Sequence, residues 1–204
     1  MQRFDTIIFD LGGVLIDWNP RYMYNQLFLT SDAVNYFLAD ICTNAWNEEQ
    51  DAGRTFEYAT EMLVKEHPQY TTEIRAYYGR WEEMLRGAMA ETVEFLAELR
   101  ANNQFRLYAL TNWSGESFPV ALQRFDFLHW FEGILVSGDE GIKKPDPAIF
   151  HLICSRYNID HTKAIFIDDN YVNIQAAQNL GLTSIHFKDI ASCRALFNDI
   201  IYKV

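Results

Sequence analysis

The stretch Phe4 to Asp17, FDTIIFDLGGVLID, constrains this chain more than any other, because a short apolar run ends there on an acid followed by two glycines. Thr6 to Phe9 are β-branched or large, in a run too short for a helix, and this predicts a strand buried on both faces of a parallel sheet. Asp10 then stands at the strand's carboxyl end, the edge at which open α/β sheets bind ligands. Gly12 and Gly13 allow the backbone to turn sharply and to come close to a ligand. Read alone, the same residues are also ordinary turn chemistry.

From Glu91 onward, helical and strand patterns alternate. Helix TVEFLAELRA leads to strand FRLYALT, helix SFPVALQRF to strand GILVSG, and helix DPAIFHLICSRY to strand AIFIDD. Helix VNIQAAQNLG, strand TSIHF and a last helix near SCRALFNDI follow. Such alternation implies right-handed βαβ crossovers and a parallel sheet. Asp17 to about Arg86 differs. WNPRYMYNQLF, SDAVNYFLADI, GRTFEYATEMLVKEH and TEIRAYYGRWEEML carry apolar residues at three- and four-residue spacing, with Ser31-Asp32 offered as an N-cap and no convincing strand. The chain therefore reads as an α/β core, residues 1–16 and 87–204, interrupted after its first strand by an all-helical insert, residues 17–86. The crossings near Asp17 to Pro20 and Arg86 to Glu91 are the expected hinges.

Three further strand ends repeat the logic of Asp10. FRLYALT ends at Thr111-Asn112, a hydroxyl and an amide suited to an anion, or to an ordinary helix cap. After GILVSG, Lys144 precedes Pro145 just before a new helix, with Lys143 as its decoy. AIFIDD ends in Asp168-Asp169, with Asn173 shortly after; adjacent carboxylates without a basic neighbour call for a divalent cation, or else are two N-cap candidates.

Composition narrows the partners. A net charge of −11 and a pI near 4.8 argue against non-specific binding to nucleic acid or anionic membrane, and leave small solutes as the expected ligands. Cys42, Cys154 and Cys193 fit neither a disulfide framework nor a zinc site, no segment reads as a secretion signal or membrane span, and a cytoplasmic setting is expected. There is no GxSxG elbow, GxxxxGK[ST] loop or HExxH motif. The aromatics, Trp18, Trp46 and Trp81 among them, read first as core. Oligomeric state is not legible.

Taken together, FDLGGVL, LTNWS, IKKPDPAIF and FIDDNYVNIQAA resemble the motifs of the haloacid dehalogenase-like hydrolase superfamily, over nearly the whole chain. The resemblance implies a Rossmann-like core with a helical cap inserted after the first strand, and a magnesium-dependent phosphatase acting on a small phosphorylated metabolite, such as a sugar phosphate. It implies Asp10 as nucleophile and Thr111 and Lys144 as binders of the transferring phosphoryl group. It assigns Asp10, Asp168, Asp169 and the Gly12 carbonyl to Mg²⁺. Gly12 and Asn112 would shape the substrate site, and Asn173 would orient the acids. In the cap, the polar turn WNEEQDAGRTF, with Glu48, Glu49, Asp51 and Arg54, is the expected contact to the leaving group, with Arg54 as substrate ligand. One position departs from the pattern: phosphatases of this family usually carry a second Asp two residues after the nucleophile, where this chain has Gly12. That leaves two alternatives, a 2-haloacid dehalogenase using the same nucleophile without metal, and a non-catalytic protein that binds a phosphorylated metabolite.

Overall fold

In the computed structural model, which describes residues 4–202, Thr6–Phe9 forms strand β1 with all four residues buried. The chain leaves the sheet through β2 (Ile16–Trp18) and helix α1 (Arg21–Leu27). Then come α2 (Ser31–Tyr36, prolonged by a π-helical turn at Phe37–Ile41), α3 (Asn44–Glu48), α4 (Phe56–Glu66) and α5 (Thr71–Gly79). It returns through β3 (Leu85–Ala88), followed by α6 (Ala90–Asn102), β4 (Arg106–Thr111), α7 (Phe118–Arg124), β5 (Gly133–Val136) and α8 (Ser137–Glu140). Helix α9 (Pro147–Arg156), β6 (Ala164–Asp168), α10 (Tyr171–Asn179), β7 (Thr183–His186) and α11 (Ile190–Tyr202) complete it.

Five strands pair in parallel in the order β5-β4-β1-β6-β7, which puts β1 at the centre. Its side chains alternate between two apolar layers, which explains why its sequence shows no polar face. Ile7 and Phe9 pack with Phe95, Leu99 and Phe197 of α6 and α11, whereas Ile8 packs with Ile149, Ile153 and Ile174 of α9 and α10. Because Phe9 is level with Ala109 and Ile167, the residues that follow emerge at one edge: Asp10 donates its N–H to Ile167 O at 2.8 Å, one residue short of Asp168.

The insert is built around Tyr24, whose ring lies 4.8 Å from Phe37 and 6.1 Å from Tyr77, and its apolar residues merge with the α6/α11 layer into one cluster. Two details differ from the sequence reading. Where only helices were expected, β2 and β3 pair antiparallel, Ile16 with Ala88 and Asp17 with Gly87, so the two crossings into the insert form one ribbon. Strands of three and four residues, distant in sequence, are too short to show an alternation. The cap of α2 is Thr30, whose hydroxyl accepts the Ala33 N–H at 3.2 Å, one residue before the Ser31-Asp32 pair. No helix among the described residues is long and apolar enough to cross a membrane.

Candidate active site

The strand ends converge on Asp10. Lys144 Nζ lies 3.0 Å from Asp10 Oδ1 and 2.7 Å from Asp168 Oδ2, with its side chain wholly buried. Asp168 also accepts the Asn170 N–H at 2.7 Å and Asn173 Nδ2 at 3.1 Å, so its oxygens are held in place from several sides. Asn112 braces the lysine from the neighbouring strand end, accepting the Lys144 N–H at 2.8 Å and donating to its carbonyl at 2.9 Å. Lys143 points away, to Glu48 Oε2 of α3 at 2.6 Å. Thr111, at the end of β4, is buried, and its hydroxyl has no hydrogen-bond partner among the described residues. A buried, unpaired hydroxyl is costly unless something arrives to use it.

One oxygen each of Asp10, Asp168 and Asp169 lie within 4.8 Å of one another. Burial pushes the Asp10 carboxyl well above the usual carboxylate range, Lys144 opposes this, and Asp168 adds to it. Asp169 is raised by burial and then by Asp168. Burial also works against the Lys144 ammonium, but Asp10 and Asp168 outweigh it and hold its pKa above the ordinary value. One ammonium does not offset three crowded acids, and the donor set is all oxygen, so these residues fit a hard divalent cation such as Mg²⁺. Gly13 is fixed by the same crowding: its φ is +74°, and a Cβ there would meet Asp169 Oδ2 at 2.2 Å. At Gly12, by contrast, a Cβ would meet nothing within 4 Å.

A cavity of about 260 Å³ opens above this cluster. Asp10, Gly12, Gly13, Asn112 and Asp169 line it from the strand ends, with Trp113, Ser114 and Ser117 beside them. The insert and its ribbon contribute Trp18, Asn47, Asp51, Phe56, Tyr78 and Trp81. Thr111, Lys144 and Asp168 are not among the lining residues and are buried. Arg54 is not among them either: it donates to Gln50 Oε1 at 2.6 Å and to the Trp46 carbonyl at 2.7 Å, inside its own turn. Trp81 belongs to the buried core and Trp18 and Trp46 pack against it, as the sequence suggests, but Trp18 and Trp81 also line the cavity, whereas Trp46 packs on Tyr77 at 5.1 Å. Trp113, Ser114 and Ser117 escaped the sequence reading, although Trp113 and Ser114 belong to the LTNWS stretch and directly follow Asn112.

The insert rests on the core beside the cavity. Apart from the Lys143–Glu48 pair, Glu116 Oε1 accepts the Phe56 N–H at 2.7 Å. Gly53 sits so close to the α8 region that a Cβ would lie 3.1 Å from Gly138 O and 3.5 Å from Gly141 Cα.

Residues 4–181 match the sequence pattern of haloacid dehalogenase-like hydrolases. The glyceraldehyde 3-phosphate phosphatase of Pyrococcus furiosus is 35% identical over 92% of this chain and 82% of its own length. The sesquiterpene phosphatase astK of Aspergillus oryzae is 26% identical over 95% of both chains. Another relative is far longer, and the match spans about a third (34%) of it. Among solved structures, a HAD family enzyme from Bacteroides thetaiotaomicron, crystallised as a magnesium complex, superposes with a TM-score of 0.74 at 21% identity, covering 96% of this chain and 99% of that one.

Proposed function

The chain belongs to the haloacid dehalogenase-like hydrolases and is an enzyme of their phosphatase type, and we propose that it uses Mg²⁺ to hydrolyse a small phosphorylated metabolite through an aspartyl-phosphate intermediate. The observation that carries this reading is the cluster of Asp10, Asp168 and Asp169, with oxygens within 4.8 Å of one another. Carbon-centred attack by one carboxylate gains nothing from two further acids beside it. Phosphoryl transfer with a divalent cation makes use of all three, which favours it over the dehalogenase alternative.

The roles follow from position. Asp10 attacks phosphorus, and Lys144 keeps it oriented and offsets its charge as the phosphoryl dianion approaches. The free hydroxyl of Thr111 offers a hydrogen bond to a phosphoryl oxygen, and Asn112 holds the lysine loop at the right height. Asp10, Asp168, Asp169 and the backbone at Gly12 would hold the cation, which when bound supplies positive charge for the phosphoryl oxygens. Residues 17–86 act as the cap. The cavity is small for a metabolite site, and its ring-bearing walls suit a compact substrate that stacks, such as a sugar phosphate. Arg54 acts by pinning the turn that carries Asp51.

The test is a panel of phosphorylated metabolites and a 2-haloacid, assayed with Mg²⁺ and with excess chelator. Phosphate release that requires Mg²⁺, absent in Asp10→Asn while that variant keeps its circular dichroism, supports the reading. Halide release that survives chelation sinks it.

A further inference from the structure

The proposed hydrolysis, on which this inference rests, must deliver a proton to the departing alkoxide, and Gly12 has no side chain to deliver it. The acids lining the cavity are Asp10, Asp51 and Asp169. Two of them belong to the cluster around Lys144; Asp51 does not. It descends from the insert, in the turn between α3 and α4, whereas Asp10 rises from the end of β1. In-line displacement puts the leaving oxygen on the far side of phosphorus from the nucleophile, which is the side the insert supplies. We propose that Asp51 is the general acid and base of this enzyme, in place of the side chain that Gly12 lacks.

The turn holds Asp51 firmly. Arg54 N–H bonds to Glu49 O at 3.1 Å and Gly53 N–H to Gln50 O at 3.0 Å. Gln50, fully buried, donates to the Trp46 carbonyl at 2.8 Å and to the Tyr78 hydroxyl, while the Arg54 guanidinium closes over Gln50 and Trp46. Burial pushes the Asp51 carboxyl up to about 7; Lys143 opposes this, Glu48 adds to it, and Lys144 and the Ser114 backbone N–H oppose it. Tyr77 and Tyr78, on the facing helix α5, are raised by burial and stay neutral. A carboxyl poised near neutrality serves in both directions.

In the first half-reaction, an Asp10 oxygen forms its bond to phosphorus as the bond to the alkoxy oxygen breaks. The released electron pair takes the Asp51 proton, giving the alcohol. In the second, the Asp51 carboxylate removes a proton from water while the water oxygen bonds to phosphorus. The phosphorus bond to Asp10 then breaks, leaving inorganic phosphate, the Asp10 carboxylate and protonated Asp51.

The experiment compares wild type and Asp51→Asn on an alkyl phosphate and on 4-nitrophenyl phosphate, following phosphorylation in a single turnover across pH. The variant should lose about 10²–10⁴-fold on the alkyl ester and less than about tenfold on the aryl ester, whose leaving group needs no proton. The wild-type alkyl rate should fall as pH rises through about 7, and that fall should vanish in the variant. Gly12→Asp added to Asp51→Asn should recover about tenfold or more on the alkyl ester, since position 12 is open and lines the same cavity. Should Asp51→Asn not fold, Asp51→Glu is used, and it should keep the alkaline fall. Equal losses on both esters, or an unchanged pH profile in Asp51→Asn, would overturn the assignment while aspartyl-phosphate trapped from the aryl ester left the phosphatase reading standing. No trapped intermediate from any ester in the wild type would overturn both.

Discussion

At the scale of single residues, the site combines groups that are expensive to bury with neighbours that make them useful. Asp51 shows this through its effect on folding. Its folded pKa, about 7, lies above the ordinary 3.8, so the folded state binds the proton more tightly than the unfolded chain. The stability from that proton is complete below about pH 3.8 and is lost as pH rises through about 7. Asp51→Asn should therefore match the wild type in thermal stability near pH 3.5 and exceed it at pH 8 by up to about 4 kcal/mol. Melting curves across that window check this; an advantage that stays constant with pH would contradict it. Gly12 and Gly13 also part company here. They are adjacent in sequence and alike in composition, yet only Gly13 is locked by Asp169 and a left-handed backbone.

At the scale of elements, the polar residues at the ends of the core strands were legible in the sequence, and in the insert the turn was legible but not which of its residues meets the cavity. Asp10, Thr111 and Asp168 sit where a run of buried, mostly apolar residues stops on a polar one, at Phe9-Asp10, Leu110-Thr111 and Ile167-Asp168, and such a signal is local, whereas Lys144 comes from the loop between α8 and α9. In the insert, which acid meets the cavity depends on how a five-residue helix and its turn settle on another part of the chain. Arg54 was the expected substrate ligand, but its guanidinium bonds Gln50 and the Trp46 carbonyl. The β2–β3 ribbon was invisible for the same reason, since its partners lie on either side of the whole insert. Seating of the insert rests partly on two exposed or half-exposed ties, Glu48 to Lys143 and Glu116 to the Phe56 N–H. Such ties are each worth up to about 1 kcal/mol, a factor of about 5 in an equilibrium. Glu48→Gln and Glu116→Gln should each speed amide exchange across residues 44–56 by up to about that factor and leave β1, β4 and β6 unchanged. Equal acceleration in the strands would mean that these ties support the whole fold and not the cap.

At the scale of the whole molecule, the crowded acids make stability and cation binding one problem. A cation that binds only the folded chain should raise its melting temperature by mass action. At about 100 times its dissociation constant, Mg²⁺ should add about 2.7 kcal/mol, which is about 5–10 °C for a chain of this size, and Asp169→Asn should abolish most of the gain. A melting temperature indifferent to Mg²⁺ would rule the cluster out as its site. The seat of the cap turn has a further consequence. Where Gly53 meets Gly138 and Gly141, backbone touches backbone with no side chains interlocked. Such a seat fixes the height of the turn by main chain alone, with no rotamer to yield. A methyl group at position 53, where φ is +94° and a Cβ would lie 3.1 Å from Gly138 O, would strain the turn's own backbone and hold it, with the carboxyl it carries, a few tenths of an ångström too high.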